Sequence, residues 1–169
     1  MHRNLQQRHG DVNRRRNVLL LAVELGSGRL VGSCGVEAAP LTPEGRATAR
    51  LPTDAARMQM RPLLSNLVVA EDFRRRGVAT RLMREAEVHA QRWGFDSLLL
   101  KVEAGNEPAE NLYHSLGYVV TAEDTLAEKP EPGIFRVRWV RTCNTVMSKT
   151  LVPAVSEAVA HGAPVLRGF

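Results

Sequence analysis

The sequence predicts an α+β domain in which a mixed, mostly antiparallel sheet carries two helices. Short apolar runs bounded by glycine and proline recur along the chain, as strands and turns do. Two of these runs, between Leu63 and Glu103, flank a helical stripe, which makes a parallel pair joined by a right-handed crossover. Towards each end, runs follow one another closely enough to form hairpins. The 169 residues fit one domain with an ordinary core. An apolar content of 44% and a charged content of 24% are those of a globular protein.

Val18–Leu25 reads as a buried strand, Gly26-Ser27-Gly28 as a tight turn and Arg29–Glu37 as the returning strand. Residues 38–62 contain Pro40, Pro43, Pro52, Pro62 and Gly45. They are expected to form a long connection with a short helix within Thr53–Met60, serving as a substrate-side lid or as a surface insertion. Leu63–Val69 is the next strand. From Val78, apolar residues at Val78, Ala79, Leu82, Met83, Ala86, Ala90 and Trp93 recur at helical spacing, and Gly94 ends that helix. Asp96–Glu103 forms a strand. Asn106-Glu107-Pro108 opens a second helix, Pro108–Leu116, closed by Gly117. Tyr118-Val119-Val120 opens another strand, and Ile134–Val140 with Thr145–Leu151 reads as a final hairpin. The domain is thus expected over 18–152, between a basic flexible arm at 1–17 and a tail at 153–169 that adds little.

The net charge of +5 is concentrated at one end, where Arg3, Arg8, Arg14, Arg15 and Arg16 face Asp11 alone. A nearly neutral folded body argues against a nucleic-acid partner. No apolar run reaches the roughly 18 residues of a membrane span, and no secretory leader is visible, so no membrane partner is expected. Cys34 and Cys143 make no disulfide framework and point to an intracellular, reducing compartment. His2, His9, His89, His114 and His161 lack ligand-like spacing, and no metal is expected.

The chemistry-bearing segment surrounds Gly77. A helix start leaves backbone N–H groups without intrahelical partners and carries partial positive charge, so it suits an anion. Gly77 and Ala79 keep the approach to those amides open, and Arg74, Arg75 and Arg76 add charged donors. Neither the lysine of a P-loop nor Gly-x-Gly-x-x-Gly is present, which disfavours ATP and dinucleotides.

Arg74-x-x-Gly77-x-Ala79 after a strand, followed by Asn106-x-x-Ala109-x-x-Leu112-Tyr113-x-x-x-Gly117-Tyr118, resembles the GNAT N-acetyltransferases. Leu64–Ala70, Phe73–Ala79, Trp93-Gly94-Phe95 and Lys101–Ala109 look most like the plant and algal plastid members, which act on protein N-termini and lysines. The resemblance covers about 63–120. It implies the GNAT fold, acetyl-CoA as cosubstrate and transfer to a primary amine by direct attack through a tetrahedral intermediate. The acceptor implied is a protein N-terminus or lysine; a small amine, or a non-catalytic coenzyme-binding role, is the alternative. A plastid location is implied, with the cytoplasm as alternative, and a monomer or weak dimer.

By the same resemblance, Leu67, Val68 and Val69 hold the pantetheine and acetyl portions. Arg74, Arg75, Arg76, Gly77, Val78, Ala79 and Thr80 hold the pyrophosphate, and Asn106 the pantetheine arm. Tyr113 protonates the departing thiolate. Some relatives carry a basic glutamate where this chain has Lys101. Glu103, on the same strand face, is the candidate base, or else is salt-bridged and not catalytic. Family members usually begin with a strand and two helices, which this chain is expected to lack.

Overall fold

The computed structural model describes residues 16–46, 56–132 and 137–152, and the backbone of 166–167. The expected arm lies almost wholly outside the described residues. Among them, seven strands form one sheet: β1 (Asn17–Val23), β2 (Leu30–Leu41), β3 (Gln59–Val69), β4 (Ser97–Glu103), β5 (Val119–Pro132), β6 (Val137–Thr150) and β7 (Leu166–Arg167). Their order is β5-β6-β4-β3-β2-β1-β7. The β3/β4 and β1/β7 pairs are parallel and the others antiparallel, so the α+β expectation holds.

Helix α1 (Val78–Arg92) crosses from β3 to β4, and α2 (Glu107–Ser115) follows β4. The stripe read from the sequence is the buried face of α1: Val78, Leu82, Met83, Ala86 and Ala90 are buried, with Ala79 and Trp93 half-buried. They pack on Leu20, Cys34, Val36, Leu64, Leu98 and Leu100, and α2 adds Tyr113, Ala109, Leu112 and Leu116 to the same core. Strand alternation fixes this face: Leu20 and Ala22 point in, while Leu19 and Leu21 are exposed. Gly32 permits the close approach of α1, since a Cβ there would meet Val78 Cγ1 at 3.0 Å and Leu82 Cδ1 at 3.2 Å.

Three sequence expectations need correction. The connection at 38–62 is shorter, because β2 runs on to Leu41 and β3 begins at Gln59. The prolines misled: β1 pairs with β2 only as far as Glu37, and β4 with β3 only at Leu63 and Leu64. Pro40 and Pro62 therefore sit in stretches paired on one side, where proline is tolerated. Of the helix expected within Thr53–Met60, 56–57 are helical, Gln59–Met60 are strand and 53–55 lie outside the described residues.

Ile134–Val140 and Thr145–Leu151 are not hairpin partners. Val137–Thr150 is one strand, paired with the long β5 on one side and with β4 on the other. The tail contributes β7, paired with Ala22 and Val23 of β1.

Candidate active site

The parallel pair at the centre of the sheet separates almost as soon as it forms. Leu63 pairs with Leu99 and Leu64 with Leu100, after which the two strands continue unpaired to Val69 and Glu103. The register between β2 and β3 slips by one residue between Ser33 and Gly35, opposite the stretch from Ser65 to Val68. Asn66 lies there with φ 53, the left-handed region that asparagine tolerates better than other non-glycine residues. The bulge bends β3 away from β4 and opens a gap.

Backbone direction follows from the ladder. Ala70 N–H donates to Val31 C=O at 2.9 Å, and Ser33 pairs with Val68 in the same register. Alternation along an antiparallel pair then turns the Val68 backbone towards β2 and the Val69 N–H and C=O towards the gap. Val69 is thus the residue of this stretch whose N–H and C=O face the gap. Arg74 Nε reaches the Val69 carbonyl at 3.4 Å, tying the loop to the end of β3.

The loop from Arg74 to Gly77 is held by its neighbours. Asp72 takes both guanidinium nitrogens of Arg29, at 2.5 and 2.9 Å. The Arg29 and Arg76 guanidinium carbons lie 5.4 and 4.9 Å from the Phe73 ring centroid. Gly77 caps α1 with φ 80 and no side-chain bond. The first helical turn is closed by Arg81 N–H donating to Gly77 C=O at 3.0 Å. Val78, Ala79 and Thr80 therefore offer amides without intrahelical acceptors. Arg74, Arg75 and Arg76 are exposed around them, as an anion cradle requires.

Tyr113 lies on the helix side of the gap, 7% exposed, in the core that joins α1, α2, β2 and β4. Burial raises its pKa, and the nearby Cys34 of β2 adds to the effect. The phenol therefore stays protonated beyond the ordinary range. Its ring centroid is 6.2 Å from that of Tyr118, whose hydroxyl donates to Glu87 Oε1 at 3.2 Å. Lys149 Nζ sits 2.9 Å from both oxygens of that glutamate. Asn106 caps α2, its Oδ1 accepting from Ala109 N–H at 3.3 Å, and its side-chain N–H₂ stays outside that bond.

Glu103 is exposed and ion-paired. Lys129 Nζ donates to it at 2.5 Å and Thr142 Oγ1 at 3.3 Å, and the carboxyl is held below the usual range chiefly by Lys129. Its ion-pair partner comes from β5; Lys101, the neighbour considered from the sequence, pairs instead with Asp124. On β3 the bulge at Asn66 shows in the sequence only as an asparagine inside an apolar run, while the glycines of the facing β2 strand do suggest a bulge there. A cavity of about 470 Å³ opens at the other end of β4, lined by Pro43, Arg61, Asp96, Ser97 and Leu99 among others. Among the described residues no group of His, Cys, Asp and Glu is arranged to hold a metal, and no helix is long and apolar enough to cross a membrane.

The splayed parallel pair thus has a bare helix start at its mouth and a buried phenol on its helix side. The model of the GNAT acetyltransferase family matches residues 2–118, well over half of the sequence. The chain belongs to the GNAT acetyltransferase family. Members of this family take their acetyl group from acetyl-CoA. Over 55 residues, 32% of the chain, it is 40% identical to GCN5-related N-acetyltransferase 4, chloroplastic, of Arabidopsis thaliana, and that stretch spans 19% of the relative. The ribosomal-protein-S18-alanine N-acetyltransferase of Escherichia coli shares the fold with a TM-score of 0.56 at 17% identity, over 95% of this chain and 83% of that one. A nourseothricin acetyltransferase does so with a TM-score of 0.55 at 21% identity, over 75% and 61%.

Proposed function

We propose that this chain moves the acetyl group of acetyl-CoA to a primary amine of a protein or peptide, with an α-amino terminus preferred to a lysine. The observation that carries it is the gap between β3 and β4, with the Val69 amide and the Gly77 helix start on one rim and Tyr113 behind it. The pyrophosphate would lie on the amides of 75–80, and the pantetheine arm in the gap beside Leu67 and Asn106.

The amine nitrogen attacks the acetyl carbonyl carbon, and the Val69 N–H supports the oxyanion that forms. The C–S bond then breaks, the departing thiolate takes the phenolic proton of Tyr113, and the proton left on the new amide nitrogen passes through water back to the phenolate. The amine must first lose its own proton. An α-amino group has a pKa of about 8 and a lysine about 10.4, so the former needs less help. With Glu103 neutralised by Lys129, little help is at hand. That favours a terminal α-amine with water as the proton acceptor. A plastid location is proposed with it, on the strength of the 55-residue match to a chloroplastic relative.

Calorimetry with acetyl-CoA is the first test, followed by mass spectrometry of a panel of free N-terminal peptides, Nα-blocked lysine peptides and small amines. Micromolar binding, about −8 kcal/mol, with acetylation of the terminal peptides is expected. Acetylation of small amines alone would overturn the acceptor class, and a folded chain that binds no acetyl-CoA would overturn the reading.

A further inference from the structure

The helices α1 and α2 fill one face of the sheet around the gap, so an acceptor has to approach the thioester from the other face. On β4, beyond the last β3/β4 pair, that face carries Lys101. There the turn after β2 lies directly on the sheet. Thr42 is fully buried; its N–H donates to Arg46 C=O at 2.9 Å, and its carbonyl accepts from Gly45 N–H at 2.9 Å. Its Oγ1 accepts from Arg46 N–H at 3.2 Å. A side chain at Gly45 would meet the Lys101 methylenes at 3.5 Å and Val146 at 3.6 Å, which shows how closely the turn is seated.

Charges fix it in place. Asp124 of β5, 2% exposed, takes Lys101 Nζ at 2.9 Å on one oxygen and faces Arg46 Nη1 at 3.6 Å with the other. Glu44 accepts from Arg46 at 3.3 Å and reaches Arg57 at 3.9 Å, just before β3 begins. A buried carboxylate between two cations is a poor device for stability alone, since apolar packing would serve as well. What it fixes well is position.

We propose that the turn Thr42–Arg46, pinned by Asp124, is the wall against which the acceptor's peptide chain lies, with Arg46 and Asp124 as positioning residues. The inference rests on the acetyltransferase reading and adds the acceptor side to it. The wall comes from the connection between β2 and β3, the segment read in the sequence as a substrate-side lid or a surface insertion.

The test needs no turnover. Binding of CoA is compared with binding of a probe in which CoA is joined through an acetyl bridge to the α-amine of a short neutral peptide. The wild type is expected to hold the probe at least about tenfold more tightly than CoA, roughly 1.4 kcal/mol. Arg46→Met and Asp124→Asn are expected to lose that gain and to bind CoA alone as the wild type does, and Arg46→Lys to recover part of it. Asp124→Asn leaves Lys101 without its counter-charge, so Arg46→Met carries the test if the former does not fold. A folded Arg46→Met chain that keeps the full gain overturns the inference, as does a wild type that gains nothing from the peptide half. Failure of the wild type to bind CoA itself overturns the underlying reading, and the inference with it.

Discussion

A phenol serves as an acid only while it keeps its proton, and burial beside the gap keeps Tyr113 protonated. If it returns the proton to the thiolate, Tyr113→Phe should lower kcat by about 100-fold and leave acetyl-CoA affinity unchanged by calorimetry. The sign of the pH dependence follows from the raised pKa. The alkaline fall in kcat belongs above the ordinary phenol value of about 10, and Tyr113→Phe should remove it. An unchanged kcat would reduce Tyr113 to a packing residue. Glu103 makes the contrast. Its carboxylate is exposed and already engaged by Lys129, so Glu103→Gln should change kcat by less than about threefold, against the 100-fold or more expected for a base. Tyr113 was legible in the sequence because its spacing from Asn106 and Gly117 is local to one helix. The state of Glu103 was not, because Lys129 and Thr142 reach it from strands 26 and 39 residues away.

Among the elements, the start of α1 has the sharpest demand on sequence. Gly77 has φ 80 with nothing within 4 Å of the position a Cβ would take, so alanine there meets backbone strain but no protein atom. Gly94, at the other end of the helix, has φ 86 and the same open surroundings. Gly77→Ala and Gly94→Ala should therefore each destabilise the fold by about 1 kcal/mol in denaturant titrations. Only Gly77→Ala should also weaken acetyl-CoA binding, because its methyl group stands where the phosphates approach. Equal affinities in the two variants would remove the pyrophosphate from this loop. Helix α1 was readable because apolar spacing, arginines and both terminal glycines agree within one short stretch. The seating of Thr42–Arg46 depends on Asp124, some eighty residues on in the chain, and no local pattern announces it.

Across the whole molecule, the sheet is uneven in a way that its sequence concealed. β6 pairs with β4 only from Asn144 to Thr150, whereas its pairing with β5 continues out to Val137 and Pro132. Among the described residues the outer part is a two-stranded ribbon without a third strand beside it. Trp139 on it is 67% exposed, and Val137 is exposed as well. With most of its side chains exposed, the ribbon needs no apolar alternation, and the Glu, Lys and Pro residues of 128–132 read as a loop. The central crossover was legible for the opposite reason, since burial imposed apolar runs on both of its strands. Two-stranded ribbons are marginal in water, and this one is anchored at its base where Lys129 and Thr142 meet Glu103. Amide hydrogen exchange should therefore be much faster in 127–132 and 137–142 than in 97–103 and 144–150. Glu103→Gln should speed exchange in the ribbon further without touching the β4/β6 ladder. Equal protection throughout β6 would mean that the ribbon is covered in solution; slow ribbon exchange that survives Glu103→Gln would take from that carboxylate the anchoring role assigned to it and reopen the question of its part in catalysis.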